Sequence, residues 1–365
     1  MAEIYGGAAN VPAELAQYAA TLRTQWEAKQ AAKTTTPAVA SAPKSKIQAG
    51  LAKGAIRAAK EGVPVYSVCC DVQGSTGISA FQKEFPDSFV EVGISESNMI
   101  SVAAGFSKIG YIPVVDAFGQ FGITKGNLPI TMANLSQAPI VAIFSHIGLQ
   151  DAADGASHQA TTYFAAVSAI PNTVVVAPSC SEEADALMYQ ALTRMKAARE
   201  ANKETESIIF FVGRENYPTS WSSDSKYQWG KAAVLHKPAE TFAKNVAIII
   251  CGPLVGYALK AAAELESQGI GAYVINNPFV NKVDIDTIAP IVEACKGQVI
   301  TNEDHQILGG MGSMLAHALA TNGTVCKMKS LGIRGEFGRS AYKVEELYKA
   351  QKMYTDDIIL AAKSF

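Results

Sequence analysis

The chain lacks the features that mark several protein classes. It has almost no excess charge, with 31 basic against 33 acidic residues and a formal net charge of −2. Electrostatics therefore gives no reason to expect nucleic acid or an anionic membrane as a partner. No segment approaches the roughly 18 uninterrupted apolar residues of a membrane span, and the N-terminus lacks the basic start and apolar core of a secretory signal. The six cysteines form no C-x-x-C motif. We therefore expect reduced thiols, a cytoplasmic location and small-molecule chemistry.

What the sequence does have is a regular alternation of helical patterns with short β-rich runs. In the first part of the chain these runs are VPVYSVCCDV, IPVVDAF, PIVAIFSH, NTVVVAP and SIIFFVG, each bounded by Pro, Gly or Asn. Such alternation predicts a parallel sheet with helices on both faces. A second α/β unit follows, with NVAIIICG, GAYVINN and GQVITNED as strands and helices at 254–268 and 308–320.

A short arm precedes these two units. Residues 11–32 have apolar side chains at helical spacing and so predict a docking helix, with Leu15, Ala19, Leu22 and Trp26 on one stripe. From Ala31 to Lys46 the composition shifts to Ala, Thr, Pro and Lys, which is typical of a connector. The predicted fold is therefore two doubly wound α/β domains after a helical arm. The predicted boundaries are 1–46 for the arm and linker, 47–225 for the first domain and 226–365 for the second.

Candidate functional residues follow three of the predicted strands. Ligands of parallel sheets usually bind at such strand ends. Glu96 opens a helix in GISESNM, although the helix dipole alone would favour a glutamate there. Phe118 and Phe121 lie in the Gly-rich segment DAFGQFG, where simple packing is the alternative. SHIGLQDAADGASHQA contains His146 and His158, two of only five histidines. Their spacing, with no cysteine nearby, is a poor zinc pattern, so a polar substrate pocket is favoured.

Taken in order, these motifs resemble a known family. GISESNM, DAFGQFG, SHIGLQDAADGASHQ, IPNTVVVAPS and FVGREN are similar to the pyrimidine-binding domain of transketolases. Residues 240–365, with CGPLVGYAL and EDHQILGGMGS, resemble the C-terminal domain of that family. The likeness covers about residues 47–365, and the ordered set is far more specific than any single motif.

The resemblance implies a thiamine diphosphate site. In it, Glu96 hydrogen-bonds the aminopyrimidine ring, where a carboxyl group away from water remains able to share its proton. Phe118 and Phe121 correspond to the aromatic residues that pack on the pyrimidine, and Asp71 to an acidic residue near the cofactor. The cofactor serves as the electron sink for cleavage of a carbon–carbon bond.

The resemblance also implies a sugar phosphate site and a reaction. His146 and His158 correspond to histidines that hydrogen-bond the sugar near the reacting carbons, and Asp154 to a carboxylate that recognises a sugar hydroxyl. Ser75 and Arg214 correspond to residues that hold the far phosphate, a task for which the planar guanidinium is suited. The expected activity is transfer of a two-carbon ketol unit from a ketose phosphate to an aldose phosphate, as in the pentose phosphate pathway.

One motif of the family is missing from the sequence. Thiamine diphosphate enzymes hold the diphosphate through Mg²⁺ or Ca²⁺ with a Gly-Asp-Gly motif, and no such string occurs here. We therefore expect a split enzyme, in which an N-terminal, diphosphate-binding transketolase subunit supplies the metal site. The expected assembly is an α₂β₂ heterotetramer with active sites at chain interfaces, and the arm is expected to clasp the partner.

Departures from the family pattern keep other functions open. Ser97 replaces the Gln or His that usually follows the cofactor glutamate, and Ala152 and Ala153 replace a Gly-Glu pair, which affects donor specificity. The alternatives are a 1-deoxyxylulose-5-phosphate synthase-like subunit, a 2-oxo acid dehydrogenase beta-type subunit, and a non-catalytic structural or regulatory subunit.

Overall fold

The chain forms two compact units, Met1–Pro43 and Lys44–Phe365. The structure is a computed structural model that describes residues 2–35, 43–221, 227–239 and 242–365, with side chains of the first range described to residue 28. Part of the connector predicted at 31–46 lies outside these residues. None of the helices in the described ranges is both long enough and apolar enough to span a bilayer.

The first unit contains the predicted arm helix. Helix α1 (Ala13–Thr35) confirms the helix predicted at 11–32. None of the side chains described between residues 2 and 28 is buried within this unit. The large apolar side chains Leu15, Tyr18, Leu22 and Trp26 are all exposed.

The second unit begins with a six-stranded sheet in which every pairing is parallel. The strands of this part are β1 (Lys44–Ser45), β2 (Val65–Cys69), β3 (Phe89–Glu91), β4 (Ile112–Phe118), β5 (Val141–Ser145), β6 (Thr173–Val176), β7 (Ser207–Phe211) and β8 (Tyr217–Pro218). The sheet order is β3-β2-β4-β5-β7-β6, and β1 pairs with β8 separately. All five strands predicted here are confirmed. Their Val and Ile side chains are buried because helices cover both faces.

Seven helices accompany this sheet in the described residues. They are α2 (Ile47–Lys60), α3 (Gln73–Thr76), α4 (Ser79–Glu84), α5 (Glu96–Lys108), α6 (Gly119–Leu135), α7 (Tyr163–Val167) and α8 (Ser181–Glu200). Helices α2 and α8 approach closely where α2 carries glycine: a Cβ atom on Gly50 would lie 1.9 Å from the Ser181 carbonyl oxygen. Gly54 meets the Asp185 carbonyl oxygen in the same way, at 2.5 Å.

A five-stranded sheet follows. Its strands are β9 (Ala233–His236), β10 (Lys244–Ile250), β11 (Ile270–Asn276), β12 (Gln298–Gln306) and β13 (Lys327–Ile333). The sheet order is β13-β12-β10-β11-β9. Its helices are α9 (Val255–Ser267), α10 (Ile285–Ala294), α11 (Met311–Thr321), α12 (Val344–Ala350) and α13 (Thr355–Lys363). Only β9 runs antiparallel in this sheet. Two doubly wound α/β domains, as predicted, therefore make up the second unit.

The two sheets share one continuous apolar core. A single cluster of buried side chains joins Val115 and Phe144 of the first sheet to Ile249 and Val299 of the second. Backbone hydrogen bonds reinforce the junction, including Ala177 N–H to the Pro278 carbonyl at 2.8 Å. The second domain is thus packed directly against the first.

Candidate active site

The candidate residues follow five adjacent strands of the first sheet. Because parallel strands end at the same edge, the loops after β3, β2, β4, β5 and β7 lie side by side. Neighbouring strands pair Phe118 with Ser145, which places the last residue of β4 beside His146. The predicted residues are distributed over these strand ends as Glu96 after β3, Asp71 and Ser75 after β2, Phe118 and Phe121 at β4, His146 and His158 after β5, and Arg214 after β7.

Glu96 is the first residue of helix α5, as the sequence predicted. Its side chain is only 8% exposed, yet it forms no hydrogen bond or ion pair with any residue in the described ranges. Its carboxyl oxygens keep some access to solvent, which compensates for the lack of a partner among the described residues. The helix dipole favours its negative charge. The free carboxyl oxygens could therefore bind a ligand group.

Phe118, Phe121, His146 and His158 form a cluster of rings. The Phe118 ring centroid lies 4.4 Å from that of His146 and 6.2 Å from that of His158. Phe121 meets His158 edge-to-face at 5.1 Å. Both phenyl rings are half-buried. The structure thus brings together two of the predicted cofactor residues and both predicted sugar-binding histidines.

His146 is constrained by its backbone and its surroundings. Its φ of 57° lies in the left-handed region, which non-glycine residues seldom adopt away from functional sites. Nδ1 is 2.7 Å from the Ser145 hydroxyl, and Nε2 has no partner among the described residues. Burial, together with a smaller contribution from the nearby Arg214 charge, lowers the pKa of His146 to about 3. The ring is therefore neutral at pH 7.

His158 also contacts the hydroxyl group of the preceding serine but is less buried than His146. Its Nδ1 lies 2.9 Å from the Ser157 hydroxyl, which leaves Nε2 without a partner in the described part of the chain. Each histidine thus has one nitrogen fixed by a serine and one available for a ligand. That arrangement suits hydrogen bonding to a polyhydroxy substrate.

Arg214 lies between two acidic side chains. Its guanidinium forms an ion pair with the fully buried Asp151, and Nη1 lies 3.9 Å from the exposed Asp154. The arginine side chain remains 40% exposed, so part of it is accessible to solvent. Burial raises the pKa of Asp151. The family resemblance implied substrate contacts for Asp154 and Arg214, and the structure shows the two side chains adjacent.

Asp71 and Ser75 are exposed near the end of β2. Asp71 has a φ of 66°, and Ser75 lies in the short helix α3. Neither side chain forms a hydrogen bond with the other candidate residues in the described ranges. The structure does not join them to the ring cluster or to Arg214 by direct contact.

Sequence reasoning missed a set of buried residues behind the histidines. Gln150 is 1% exposed and accepts a hydrogen bond from the Arg214 backbone N–H at 2.6 Å. Its amide donates to the Tyr348 hydroxyl at 2.9 Å, and Tyr348 donates to Asp304 at 2.6 Å. The sequence signal for this set was the glycine at position 148. Its φ of 60° and the close approach of Asp304 leave no room for a Cβ atom there.

Comparison with known proteins assigns the family. Residues 44–218 match the family described as "Transketolase, pyrimidine binding domain", and residues 237–358 match "Transketolase, C-terminal domain". A "Putative transketolase C-terminal section" from Methanocaldococcus jannaschii is 32% identical over 285 residues, which covers 76% of this chain and 83% of that protein. The chain belongs to the transketolase family. Enzymes of this family depend on thiamine diphosphate.

Other members of the transketolase family are longer. A "1-deoxy-D-xylulose-5-phosphate synthase" from Halothermothrix orenii is 32% identical over 72% of this chain but only 39% of its own length. The human "Transketolase-like protein 2" is 31% identical over 80% of this chain and 46% of its own length. The chain therefore spans less than half of these relatives.

A solved structure supports the transketolase fold. The chain resembles a "Split gene transketolase, inactive beta4 tetramer" with a TM-score of 0.72 and 24% sequence identity. The match covers 87% of this chain and 97% of that structure. At this identity the likeness supports the fold alone.

The candidate residues fit the pyrimidine half of thiamine diphosphate. A heteroaromatic ring needs a hydrogen-bonding group at its edge and apolar surface against its face. Glu96 offers a carboxyl group with no partner in the described part of the chain, and Phe118 and Phe121 offer half-buried rings. No cluster of three or more His, Cys, Asp or Glu side chains with metal-binding geometry occurs in the described ranges.

Proposed function

We propose that this chain is the pyrimidine-side subunit of a split, thiamine diphosphate-dependent transketolase. It transfers a two-carbon ketol unit from a ketose phosphate to an aldose phosphate, as in the pentose phosphate pathway. One observation carries the proposal: Glu96 is a buried residue whose carboxyl group has no hydrogen-bond or ion-pair partner among the described residues, at the sheet edge that also holds His146 and His158. Family membership supports it.

In this proposal the chain's own residues bind, orient and exclude water. Glu96 holds the aminopyrimidine edge and shares a proton with it, while Phe118 and Phe121 pack on the ring and Asp71 lies near the cofactor. Thiamine diphosphate supplies the electron sink for carbon–carbon cleavage. Because His146 is neutral at pH 7 and bonded at Nδ1, its Nε2 can exchange hydrogen bonds with a substrate hydroxyl or carbonyl.

The remaining polar residues bind the sugar phosphate. His158 and Asp154 contact sugar hydroxyls, and Ser75 and Arg214 hold the terminal phosphate. The exposed part of the Arg214 side chain supports this role, since guanidinium groups bind phosphate through paired N–H donors. Asp151 keeps the guanidinium oriented by their ion pair.

A second polypeptide completes the site in this proposal. It is an N-terminal, diphosphate-binding subunit that supplies Mg²⁺ or Ca²⁺, and the two chains form an α₂β₂ heterotetramer. The relative described as a transketolase C-terminal section and the split-gene fold neighbour support this arrangement. The domain boundaries at 46/47 and 225/226 and the cytoplasmic location stay predictions.

The decisive experiment replaces the carboxyl group of Glu96. We expect Glu96→Gln to lower turnover of the reconstituted complex at least about a hundredfold, because proton sharing is lost, with complex assembly intact. Glu182→Gln is the matched control, since Glu182 is also an acidic residue in the first turn of a helix but is exposed. Equal activity of the two variants would show that Glu96 serves only the helix dipole, as in the non-catalytic alternative.

A second candidate function is the condensation catalysed by 1-deoxyxylulose-5-phosphate synthase. Several relatives carry that name, including the one from Halothermothrix orenii. The two reactions differ in substrate, since the synthase uses pyruvate and glyceraldehyde 3-phosphate. Ketol transfer is favoured here because the relative from Methanocaldococcus jannaschii and the solved fold neighbour are both described as transketolases.

A further inference from the structure

A buried acid of the second domain lies directly beneath the loop that carries both histidines. We call residues 146–160 the histidine loop. Asp304, at 2% exposure in β12, accepts a hydrogen bond from the Leu149 backbone N–H at 2.9 Å. The Gly148 backbone lies so close that a Cβ atom there would be 2.0 Å from the Asp304 carboxyl carbon. The second domain thus fixes the base of this loop.

Tyr348 of helix α12 extends this contact toward the substrate residues. Its hydroxyl donates to Asp304 at 2.6 Å and accepts from Gln150 at 2.9 Å. The other end of the Gln150 amide accepts from the Arg214 backbone N–H and from the Tyr217 hydroxyl. One chain of hydrogen bonds therefore leads from Asp304 and Tyr348 of the second domain through Gln150 to the backbone of Arg214.

The second domain also holds the far side of the histidine loop. The Ala341 N–H donates to the Ala152 carbonyl at 2.8 Å, and the Gln159 amide donates to the Arg339 carbonyl at 3.1 Å. Gly338 is packed against Gln159 so closely that a Cβ atom would be 1.6 Å from its Oε1 atom. Residues of the second domain therefore contact the histidine loop on two sides.

We propose that the second domain positions the histidine loop for catalysis, and that Asp304 and Tyr348 are positioning residues for it. This inference rests on the proposed function, because it assigns the loop to sugar binding. Among the described residues, no hydrogen bond or ring contact joins Asp304 or Tyr348 to the ring cluster. They act by fixing Leu149 and Gln150, which precede Asp151, Asp154 and His158 in the loop. Displacement of a reacting group by about 1 Å can cost about a hundredfold in rate.

Tyr348→Phe tests the inference by removing one hydroxyl group. Tyr257→Phe is the matched control, because Tyr257 packs against Tyr348 with ring centroids 5.8 Å apart. The Tyr257 hydroxyl has no hydrogen-bond partner in the described residues. We expect Tyr348→Phe, and not the control, to lower kcat/KM of the reconstituted complex about 10- to 100-fold while both variants fold.

Two further readouts separate positioning from general destabilisation. Amide hydrogen exchange in residues 146–160 of the isolated chain should accelerate in Tyr348→Phe, with exchange in β10 and β11 unchanged. In a double-mutant cycle with His158→Ala, the loss caused by Tyr348→Phe should shrink, because the group it positions is already absent. Additive losses, or exchange that accelerates equally throughout, would overturn the proposal.

The outcome can be distinguished from failure of the proposed function. If the wild-type complex shows no ketol transfer, the function is wrong, and the hydrogen-exchange comparison still tests whether Tyr348 orders the loop. If the wild type is active and Tyr348→Phe behaves like Tyr257→Phe, the positioning role alone is wrong.

Discussion

At the scale of the residue, His146 is the most constrained group of the candidate site. A strand ends at Ser145, the backbone turns into the left-handed region, and the imidazole enters the protein interior. Burial and the Arg214 charge then lower the pKa of the ring to about 3. Because the unfolded chain binds this proton near its usual pKa of about 6.5, the histidine's contribution to stability falls as the pH drops from that value toward the folded pKa.

This electrostatic coupling gives a prediction at a single residue. We expect the His146 ring resonances of the isolated chain not to titrate between pH 5 and pH 8. Arg214→Met should raise the pKa of His146, since it removes a nearby positive charge. Histidine NMR titration measures both effects, and Arg334→Met is the control because Arg334 is exposed and is not among the charges acting on His146. A His146 pKa near 6.5 in the wild type would contradict this account.

The sequence was sufficient to nominate residues at or just after predicted strands. Glu96, Phe118 and His146 each follow a recognisable strand, and the order of parallel strands brings those ends to one edge. Asp304 and Tyr348 were not predicted, because their contacts with Leu149 and Gln150 join positions far apart in the chain. No periodicity reports such a contact, which depends on how two domains pack.

At the scale of the element, strands buried on both faces were the easiest to predict. β4, β5 and β7 consist mostly of buried apolar residues, interrupted in β4 by the buried Asp116, because helices cover both sides. The edge strands β9 and β13 were missed, since most of their side chains are half-buried and the apolar runs are interrupted. The short helices α3 and α4 were missed for lack of a full helical period.

Helix α2 gives a prediction about close packing. Gly50→Ala should destabilise the chain by about 1 to 3 kcal/mol, because the added methyl group would overlap the Ser181 carbonyl oxygen. Gly105→Ala in α5 is the matched control, since nothing lies within 4 Å of its Cβ position. That variant should gain about 0.5 to 1 kcal/mol from helix propensity. Urea unfolding measures both, and an equal effect of the two substitutions would contradict the packing argument.

Helix α1 gives a second prediction at this scale. Its exposed Leu22 and Trp26 are apolar surface that a partner chain could cover. We expect the double variant Leu22→Ala, Trp26→Ala to weaken binding of the diphosphate-binding subunit about tenfold or more, as measured by titration calorimetry. Gln17→Ala on the same helix should leave the affinity unchanged. Deletion of residues 1–43 without loss of affinity would refute the role of the arm.

At the scale of the whole molecule, the candidate residues lie together at one edge of the first sheet. In the proposed assembly Glu96, Phe118 and Phe121 contact the pyrimidine half of the cofactor, and another polypeptide or segment holds the diphosphate. The matched family regions, 44–218 and 237–358, are the pyrimidine-binding and C-terminal domains only.

Reconstitution gives the prediction at this scale. We expect the purified chain alone to show no ketol transfer, and the chain mixed with a diphosphate-binding subunit, thiamine diphosphate and Mg²⁺ to transfer ketol units from xylulose 5-phosphate. The same complex supplied with pyruvate and glyceraldehyde 3-phosphate should form no product. Activity of the isolated chain would contradict the split-enzyme proposal, and product from pyruvate would favour the synthase alternative.

The contacts between the second domain and the histidine loop also limit how such a subunit can evolve. A gene fragment ending near residue 218 would encode every side chain assigned to cofactor and sugar, but not Asp304 or Tyr348. Recombination that replaced the C-terminal domain would have to supply an aspartate against Gly148 and a tyrosine that hydrogen-bonds Gln150. We therefore expect the two halves to be inherited together, even in lineages where other segments of the enzyme have become separate genes.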